Sequence, residues 1–246
     1  MKTSLKHLTG LFSLLFIATS CIGNMQDRIT GSKNHITKEV KTKSFNTIES
    51  TLVGDIIFSQ SADSSAAVKI YGSDNIIALT NIYVKDETLF LDMKHKKRIR
   101  KGDKLKITIN SPDLKALYLK GVGNALLKGI IQTNKLTLNL EGVGNIEAKS
   151  IKCGSIEAST QGVGNIEISG TVGKANYQSD GVGNIEAYNL KADSVHASLN
   201  GVGGINCYAD KFIKASSNGI GNINYKGTPA QAQINRQGIG KIKRVN

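Results

Sequence analysis

A dense run of basic side chains is the first feature of this sequence that could support chemistry. It spans residues 94–104, KHKKRIRKGDK, and strand-like patterns flank it, so we expect an exposed loop. Such a cluster can bind lipid phosphates, anionic headgroups or acidic glycans, and our candidate ligand contacts are Lys96, Lys97, Arg98 and Arg100. No aromatic residues interleave with the run, so nucleic acid is not an expected partner. A solvated loop that only aids solubility is the alternative.

Three glutamates recur at one position of a repeated G-V-G-N-I-E motif. Glu147, Glu167 and Glu186 would stack as a carboxylate ladder on one outer face. Grouped carboxylates can work through a bound cation in enzymes that act on acidic polysaccharides. Catalysis normally needs several different groups to converge, whereas this ladder repeats one group. We therefore expect a solvated face and keep a glycan-active enzyme as the alternative.

Other catalytic and cofactor signatures are missing from the sequence. His35, His95 and His196 show no metal-ligand spacing, and there is no H-E-x-x-H, C-x-x-C, G-x-S-x-G or phosphate-binding loop. The motif shares two glycines with the dinucleotide fingerprint, but no helix pattern follows it. Calcium-binding β-rolls place Asp where this chain has Asn or Gly. We expect no enzyme, no cofactor and no metal site.

The elements that would position these groups are encoded in a glycine repeat. Seven copies of G-[VI]-G begin at residues 121, 142, 162, 181, 201, 219 and 238, at intervals of 18 to 21 residues. A period near 20 that slips by single residues is typical of a solenoid. The glycines that we assign to structural turns are Gly121, Gly123, Gly142, Gly144, Gly162, Gly164, Gly181, Gly183, Gly201, Gly203, Gly219, Gly221, Gly238 and Gly240.

Apolar and polar residues alternate on both sides of each glycine pair, which indicates half-buried strands of a parallel β-solenoid. Glycine takes positive φ without steric cost, so a G-V-G corner can bend sharply, and we expect its Val or Ile to point inward. The Asn in the fourth place tolerates left-handed geometry. Stacked coils would align these residues in a side-chain ladder: Asn124, Asn145, Asn165, Asn184 and Asn222.

The sequence divides into four segments. Residues 1–20 are a signal peptide, 21–40 a polar tether, 41–110 an irregular β portion, and 111–246 the seven coils; 41–246 form one continuous domain. The irregular portion contains a worn copy of the motif at Val53-Gly54-Asp55-Ile56 and a hairpin that turns at Asp86-Glu87. In the last coil Arg236 occupies an inward position and Lys241, Lys243 and Arg244 crowd the end, which discourages end-to-end stacking.

The N-terminus carries an export signal. A basic start precedes the short apolar stretch LTGLFSLLFIATS, which ends directly before Cys21 and resembles a lipobox, with Ala18 in place of the usual Leu. Lipidation of Cys21 would anchor the protein to a membrane, and Ile22 favours the outer membrane by resemblance to enteric lipoproteins. An ordinary secretory signal is the alternative. Cys153 and Cys207 occupy different repeat positions, so we expect two free, mostly buried thiols.

The order of these segments resembles the bacterial head GIN domain, called putative auto-transporter adhesin. The residues that carry the resemblance are SFNTIESTLVGDIIFSQ, a hairpin, KLKITINSPDLKALYLKGVGN and the repeated G-[VI]-G-N-I strands, over about residues 41–240. Members commonly have G-S-G-[ND], whereas here Val or Ile replaces Ser. The resemblance implies a single-stranded, right-handed β-helix with an irregular N-terminal portion, and it supplies no catalytic residues.

Charge and resemblance together favour a binding role. The chain carries a formal +13, and removing residues 1–20 takes away Lys2 and Lys6 and leaves +11. We predict an exported, non-enzymatic lipoprotein of the cell envelope, anchored by its lipid, that binds an anionic glycan, a lipid headgroup or a surface protein. A glycan-active β-helix enzyme and a purely structural envelope protein are the alternatives.

Overall fold

A computed structural model describes residues 28–61, 66–94, 98–100 and 103–246. The N-terminal elements are β1 (Arg28–Ile29), β2 (His35–Lys41), β3 (Thr47–Ser50), β4 (Gly54–Gln60), β5 (Ala67–Ser73), α1 (Asp74–Ile77), β6 (Thr80–Lys85), β7 (Thr88–Met93), β8 (Arg98–Ile99) and β9 (Leu105–Ser111). The following strands are β10 (Ala116–Leu119), β11 (Ala125–Lys128), β12 (Ile131–Leu140), β13 (Ile146–Thr160), β14 (Ile166–Ser179), β15 (Val182–Leu199), β16 (Val202–Ser217), β17 (Ile220–Lys226), β18 (Gln231–Arg236) and β19 (Ile242–Arg244).

Parallel pairing between successive coils builds a solenoid. β13 pairs in parallel with β12 and β14, and β15 pairs in parallel with β14 and β16. Residues one repeat apart face each other, as Ala158 faces both Leu138 and Tyr177. The prediction of an all-β solenoid with about 20 residues per coil and an irregular N-terminal portion is confirmed.

The two glycines of each corner are required for different reasons. A Cβ on the first glycine of the second copy, Gly142, would lie 1.9 Å from the carbonyl oxygen of Gly121 in the preceding coil. The second glycine of the third copy, Gly164, has φ +141°, and a Cβ there would lie 1.6 Å from the oxygen of Gly144. Backbone therefore stacks directly on backbone at this corner, and a side chain at either position would separate the coils.

The Val and Ile between the glycines point outward, and the prediction that they point inward is wrong. Their exposed fractions run from 42% at Val122 to 71% at Ile239. The period-2 alternation continues through the corner, so Leu140 and Ile146 point inward together with the glycines between them, while Val143 points outward. The outward residues form an apolar strip, the corner ridge: Val122, Val143, Val163, Val182, Val202, Ile220 and Ile239.

The predicted asparagine ladder runs beside the corner ridge. The Asn145 Nδ2 amide donates to Oδ1 of Asn124 at 3.0 Å, and the backbone N–H of Asn165 donates to Oδ1 of Asn145, also at 3.0 Å. Asn184 continues the series, with its N–H donating to Asn165 at 2.9 Å. Gly204 has no side chain to extend the ladder. The side-chain oxygens of Asn124, Asn145, Asn165 and Asn222 thus accept backbone N–H groups that a tight corner would otherwise leave unpaired.

The core is a column of inward-pointing side chains that compensate one another in size. Tyr177 is fully buried, and its neighbours in the same row are two alanines, Ala158 and Ala197. One cluster of buried residues runs from Phe45 in the N-terminal portion to Ile223. The irregular portion and the coils therefore share one core.

The irregular portion covers the N-terminal end of the solenoid. β6 and β7 form the predicted hairpin, with positive φ at Asp86 and Glu87. Val53 forms a parallel bridge with Val122, so the worn copy of the motif is the first corner of the stack. The predicted tether is too long, because residues 35–41 form β2, which pairs antiparallel with β5. Val40 packs against the core from this strand, which a polar composition did not indicate.

The C-terminal coil has no covering element among the described residues. Every residue of β18 is exposed, including Ile234, which stands in the row where Ala215 is buried in the preceding coil. Arg236 lies in register with buried Ser217, and its Nη1 donates to the carbonyl of Gly240 at 3.1 Å. In the described part of the chain, no helix has the length and apolar character needed to cross a bilayer.

Candidate binding surfaces

The predicted basic contacts lie only partly within the described residues. Lys96 and Lys97 lie outside them, as does the side chain of Arg98. The backbone of Arg98 pairs in parallel with Arg28, and the exposed Arg100 donates its N–H to the carbonyl of Ile29 at 3.0 Å. Residues 98–100 of the basic run therefore lie next to the first described residues of the chain.

Polar contacts hold the edges of the basic run. Lys94 donates from Nζ to the carbonyl of Ala78 at 3.1 Å, and Lys104 lies 4.0 Å from Asp55. The Asp103 carboxylate accepts the N–H of Gly31 at 3.0 Å. These contacts attach the run to the capped end of the solenoid.

The glutamate ladder forms in register, but its two outer members already have partners. Glu147 pairs with Lys149 at 2.7 Å, and both carboxylate oxygens of Glu186 accept hydrogen bonds from Asn206 at 2.8 and 2.9 Å. The hydrogen bond to Glu147 is the main cause that raises the pKa of Lys149. Among the described residues, no group of three or more His, Cys, Asp or Glu could hold a metal ion. The geometry supports a polar surface row.

A concave strip along the middle of the long strands was not predicted. It forms where the inward alternation shifts by one residue, between buried Val172 and buried Ala175, near Gly154 and Gly173. We call this place the lateral bend and the concave strip the lateral groove. Its first depression, about 760 Å³, includes Lys115, Lys135 and Lys152. A second depression, about 570 Å³, shares Lys152 and Cys153 with the first and extends past Lys191 to Tyr208, and Asp193 and Asp210 also line it.

Three lysines surround the bend at Gly173 without an acidic partner. Among the described residues, no carboxylate lies within 4.0 Å of Nζ of Lys152, Lys174 or Lys191. Lys152 and Lys191 lie in one row, two coils apart, which places their Cα atoms about 10 Å apart. Asp193, one of the two carboxylates in the second depression, pairs with Lys211 at 3.0 Å, so the three lysines are left without a carboxylate in contact and can meet an anionic ligand.

An aromatic pocket adjoins these lysines. It measures about 390 Å³ and is lined by Lys174, Glu157, Asn176, His196 and Phe212. The rings of His196 and Phe212 meet edge-on, with centroids 5.8 Å apart. An apolar ring beside hydrogen-bonding groups and cations can hold a sugar that carries a carboxylate or sulfate.

Sequence reasoning missed the lateral groove because its lysines do not share a repeat position. Lys152 and Lys191 belong to one row and Lys174 to a row three residues further along the strand, so their sequence separations are 22 and 17 instead of the 19 and 20 that one row would give. The available signal was Gly154 and Gly173, two glycines 19 residues apart outside the main motif. The glycine repeat indicates one corner per coil, and the lateral bend, where the groove lies, is a second feature of the same coils.

The thiols near the groove are not activated. Cys153 and Cys207 are both free, as predicted, with Cys207 buried and Cys153 half-buried. Burial raises the pKa of Cys153 to about 11 and that of Cys207 to about 12. Both are therefore neutral at physiological pH, and neither is a nucleophile of the thiolate type.

Comparison with known proteins supports the fold and the family. The family described as "Putative auto-transporter adhesin, head GIN domain" matches residues 44–229. The crystal structure of "a putative adhesin" from Bacteroides fragilis NCTC 9343 is 42% identical, with a TM-score of 0.86 over 88% of this chain and 100% of that chain. A "putative lipid binding protein" from Parabacteroides distasonis ATCC 8503 is 25% identical, with a TM-score of 0.70 over 89% and 100%.

A "putative adhesin" from Parabacteroides merdae ATCC 43184 is also 25% identical, with a TM-score of 0.67 over 89% of this chain and 100% of that chain. No curated protein is detectably similar to the chain. The family match covers the capped portion and most of the coils. The chain belongs to the head GIN domain family.

Proposed function

We propose that this protein is an exported, non-enzymatic envelope protein that binds anionic ligands, acidic glycans in particular, through the lateral groove. The observation that carries this proposal is the set of unpaired lysines around one bend, Lys152, Lys174 and Lys191. The adjoining Phe212 and His196 supply apolar contact and a hydrogen-bonding edge. Relatives named as putative adhesins support a binding role at a surface.

The basic run supports a second contact, with the headgroups of the membrane. Arg98 pairs with Arg28, and Cys21 lies seven residues before Arg28 in the sequence. Seven residues span at most about 25 Å, so a lipid on Cys21 would keep the paired backbone of Arg28 and Arg98, and Arg100 beside it, near the bilayer surface. One acyl anchor combined with a basic patch holds a protein more stably than either signal alone. We place the lipoprotein at the outer membrane, and a relative named as a putative lipid-binding protein supports lipid contact.

The non-enzymatic assignment is supported by what the acidic and thiol groups contact. Glu147 and Glu186 are partnered by Lys149 and Asn206, and the thiols are neutral at physiological pH. A glycan-active enzyme would release reducing ends from polygalacturonate and lose that activity on Glu167→Gln. We expect no release by either protein.

The proposal is tested by binding assays with dextran sulfate, polygalacturonate and neutral dextran. We expect both acidic polymers, and not neutral dextran, to bind with an affinity that falls as salt rises. The Lys152→Gln/Lys174→Gln/Lys191→Gln variant should bind at least about tenfold more weakly. A matched variant that removes three exposed lysines elsewhere, Lys85→Gln/Lys106→Gln/Lys128→Gln, should keep most of the affinity.

Membrane contact is tested separately with vesicles that contain anionic phospholipid. Neutralising Lys96, Lys97, Arg98 and Arg100 should abolish vesicle binding and leave polysaccharide binding intact. Equal loss of polysaccharide binding in the groove variant and its matched control would show that only net charge matters. No binding to any acidic polymer would leave a purely structural envelope role as the better account.

A further inference from the structure

The two ends of the solenoid are unlike each other. At the N-terminal end, β7 and β9 pair with β3 and β4 of the first coil, and β6 and β5 pair in turn with β7 and β9. At the C-terminal end, β18 pairs only with β16 and β19 only with β17, among the described residues. The last coil therefore presents one full strand edge.

Backbone hydrogen bonding identifies what this edge offers. In an inner coil the N–H of Gly144 donates to the carbonyl of Val163 in the next coil at 3.0 Å, and the N–H of Ile146 donates to Asn165 at 2.9 Å. The corresponding donors of the last coil are the N–H groups of Gly240 and Ile242, and no later coil is present among the described residues to accept from them. An added strand would find donors with the same spacing as those between all earlier coils.

The edge also exposes apolar positions that are covered in every earlier coil. Ile234 is 46% exposed, although Ala215 in the same row is buried, and Ile242 is half-buried where Ile223 is buried. Neither β18 nor β19 contains a proline, because Pro229 lies before β18. Both strands can therefore donate hydrogen bonds along their length. Charge is thus the main protection of this edge against pairing.

The charge of the C-terminal region selects the partner. From residue 211 to residue 246 there is no Asp or Glu. The same region contains seven basic residues: Lys211, Lys214, Lys226, Arg236, Lys241, Lys243 and Arg244. The last four belong to the final coil and are exposed. Two copies that met through these ends would juxtapose like charges, whereas an acidic strand would meet opposite charges.

We propose that the edge formed by β18 and β19 is a β-augmentation site for an extended, acidic segment of another protein, with apolar residues alternating with Asp or Glu. Main-chain hydrogen bonds to Gly240 and Ile242 supply affinity, and the apolar side chains cover Ile234 and Ile242. The acidic side chains contact Lys241 and Lys243, which alternate with Ile242 and point outward. This site is separate from the lateral groove and does not depend on glycan binding.

The test measures fluorescence anisotropy of a labelled ten-residue peptide of alternating Val and Glu with the purified protein. A Val–Lys peptide of the same length and a Val–Glu peptide with alternate N-methylated amides are the controls. We expect binding of the Val–Glu peptide only. The Ile242→Pro variant removes one outward N–H and should weaken binding at least about fivefold.

A second variant neutralises Arg236, Lys241, Lys243 and Arg244, and it should abolish peptide binding at low salt. This variant still tests the site if Ile242→Pro does not fold. The lateral-groove variant Lys152→Gln/Lys174→Gln/Lys191→Gln should bind the peptide as the wild type does. Hydrogen exchange of residues 240–246 should slow when the peptide is added. Equal binding of the Val–Lys or N-methylated peptide, unchanged binding by the charge variant, or a stable dimer of the free protein would overturn the proposal.

Discussion

The glycine corner and the lateral bend belong to the same coils but follow different rules. At the corner, successive copies keep two glycines and one β-branched residue, because carbonyl oxygens lie within 2 Å of where a Cβ would be on Gly142 or Gly164. At the lateral bend the residues change from coil to coil, and Lys152, Thr171 and Lys191 occupy one row. Repetition within this chain therefore marks a constraint of the backbone, and the residues that vary lie on the surface for which we propose binding.

The largest expected effect breaks the corner. Gly164→Ala forces a Cβ into a φ of +141° and against the carbonyl of Gly144, so the free energy of unfolding should fall by about 3 kcal/mol or more. At the lateral bend, a Cβ on Gly154 would lie 3.0 Å from Asn134, and its φ is not positive. Gly154→Ala should change the free energy of unfolding by no more than about 1 kcal/mol. Urea denaturation of both variants tests the contrast, and equal losses would refute it.

Alkaline pH should destabilise the fold through the buried thiol of Cys207. Burial raises the pKa of Cys207 from 9.0 to about 12, so the unfolded chain loses this proton at lower pH than the folded chain. Stability therefore falls as pH rises above about 9, by up to about 1.4 kcal/mol per pH unit from this one group. Urea denaturation between pH 8 and 11 measures how steeply the free energy of unfolding falls with pH, and this slope should be shallower in Cys207→Ala.

Iodoacetamide should modify half-buried Cys153 before Cys207, and the reverse order would contradict the packing.

The sequence predicted the strands and the glycine corner well, because both follow from period-2 alternation and a 20-residue repeat. The direction of the corner residues was predicted wrongly because alternation was not carried through the glycines, which hold the inward positions themselves. Val143 and Val163 therefore point outward. The lateral groove could not be read from one repeat position, since its lysines lie in two rows, three positions apart along the strands, whose relation only the folded register shows.

The capped end was harder to predict than the coils. Residues 35–41 look polar, yet they pair with β5 because β5 would otherwise leave an edge exposed. Long-range antiparallel pairing of this kind leaves little local signal in a sequence. The hairpin at Asp86 and Glu87 was predictable because its two strands are adjacent in the chain.

A smaller effect sharpens the role of the corner. Gly204 interrupts the asparagine ladder between Asn184 and Asn222, and a Cβ there would lie 3.2 Å from the oxygen of Asn222 without positive φ. Gly204→Asn should restore the ladder and raise the free energy of unfolding by about 0.5–1 kcal/mol. Gly204→Ala is the matched control, since it adds a Cβ but no amide. Equal effects of the two substitutions would show that the ladder contributes nothing beyond backbone entropy.

The smallest expected effect concerns the corner ridge. Val163 is 49% exposed, so Val163→Ser should change the free energy of unfolding by less than about 0.5 kcal/mol. Ile166, three residues later, is fully buried, and Ile166→Ser should destabilise the fold severely. Thermal denaturation of both variants checks the outward assignment of the valine.

The central claim, that the corner maintains the fold while the lateral bend binds, is tested most directly by measuring stability and dextran sulfate binding on the same variants. The Lys152→Gln/Lys174→Gln/Lys191→Gln variant should keep the wild-type denaturation midpoint and lose binding. Gly204→Asn should raise the midpoint and bind as the wild type does. Undiminished binding by the lysine variant, or loss of binding by Gly204→Asn, would contradict the claim.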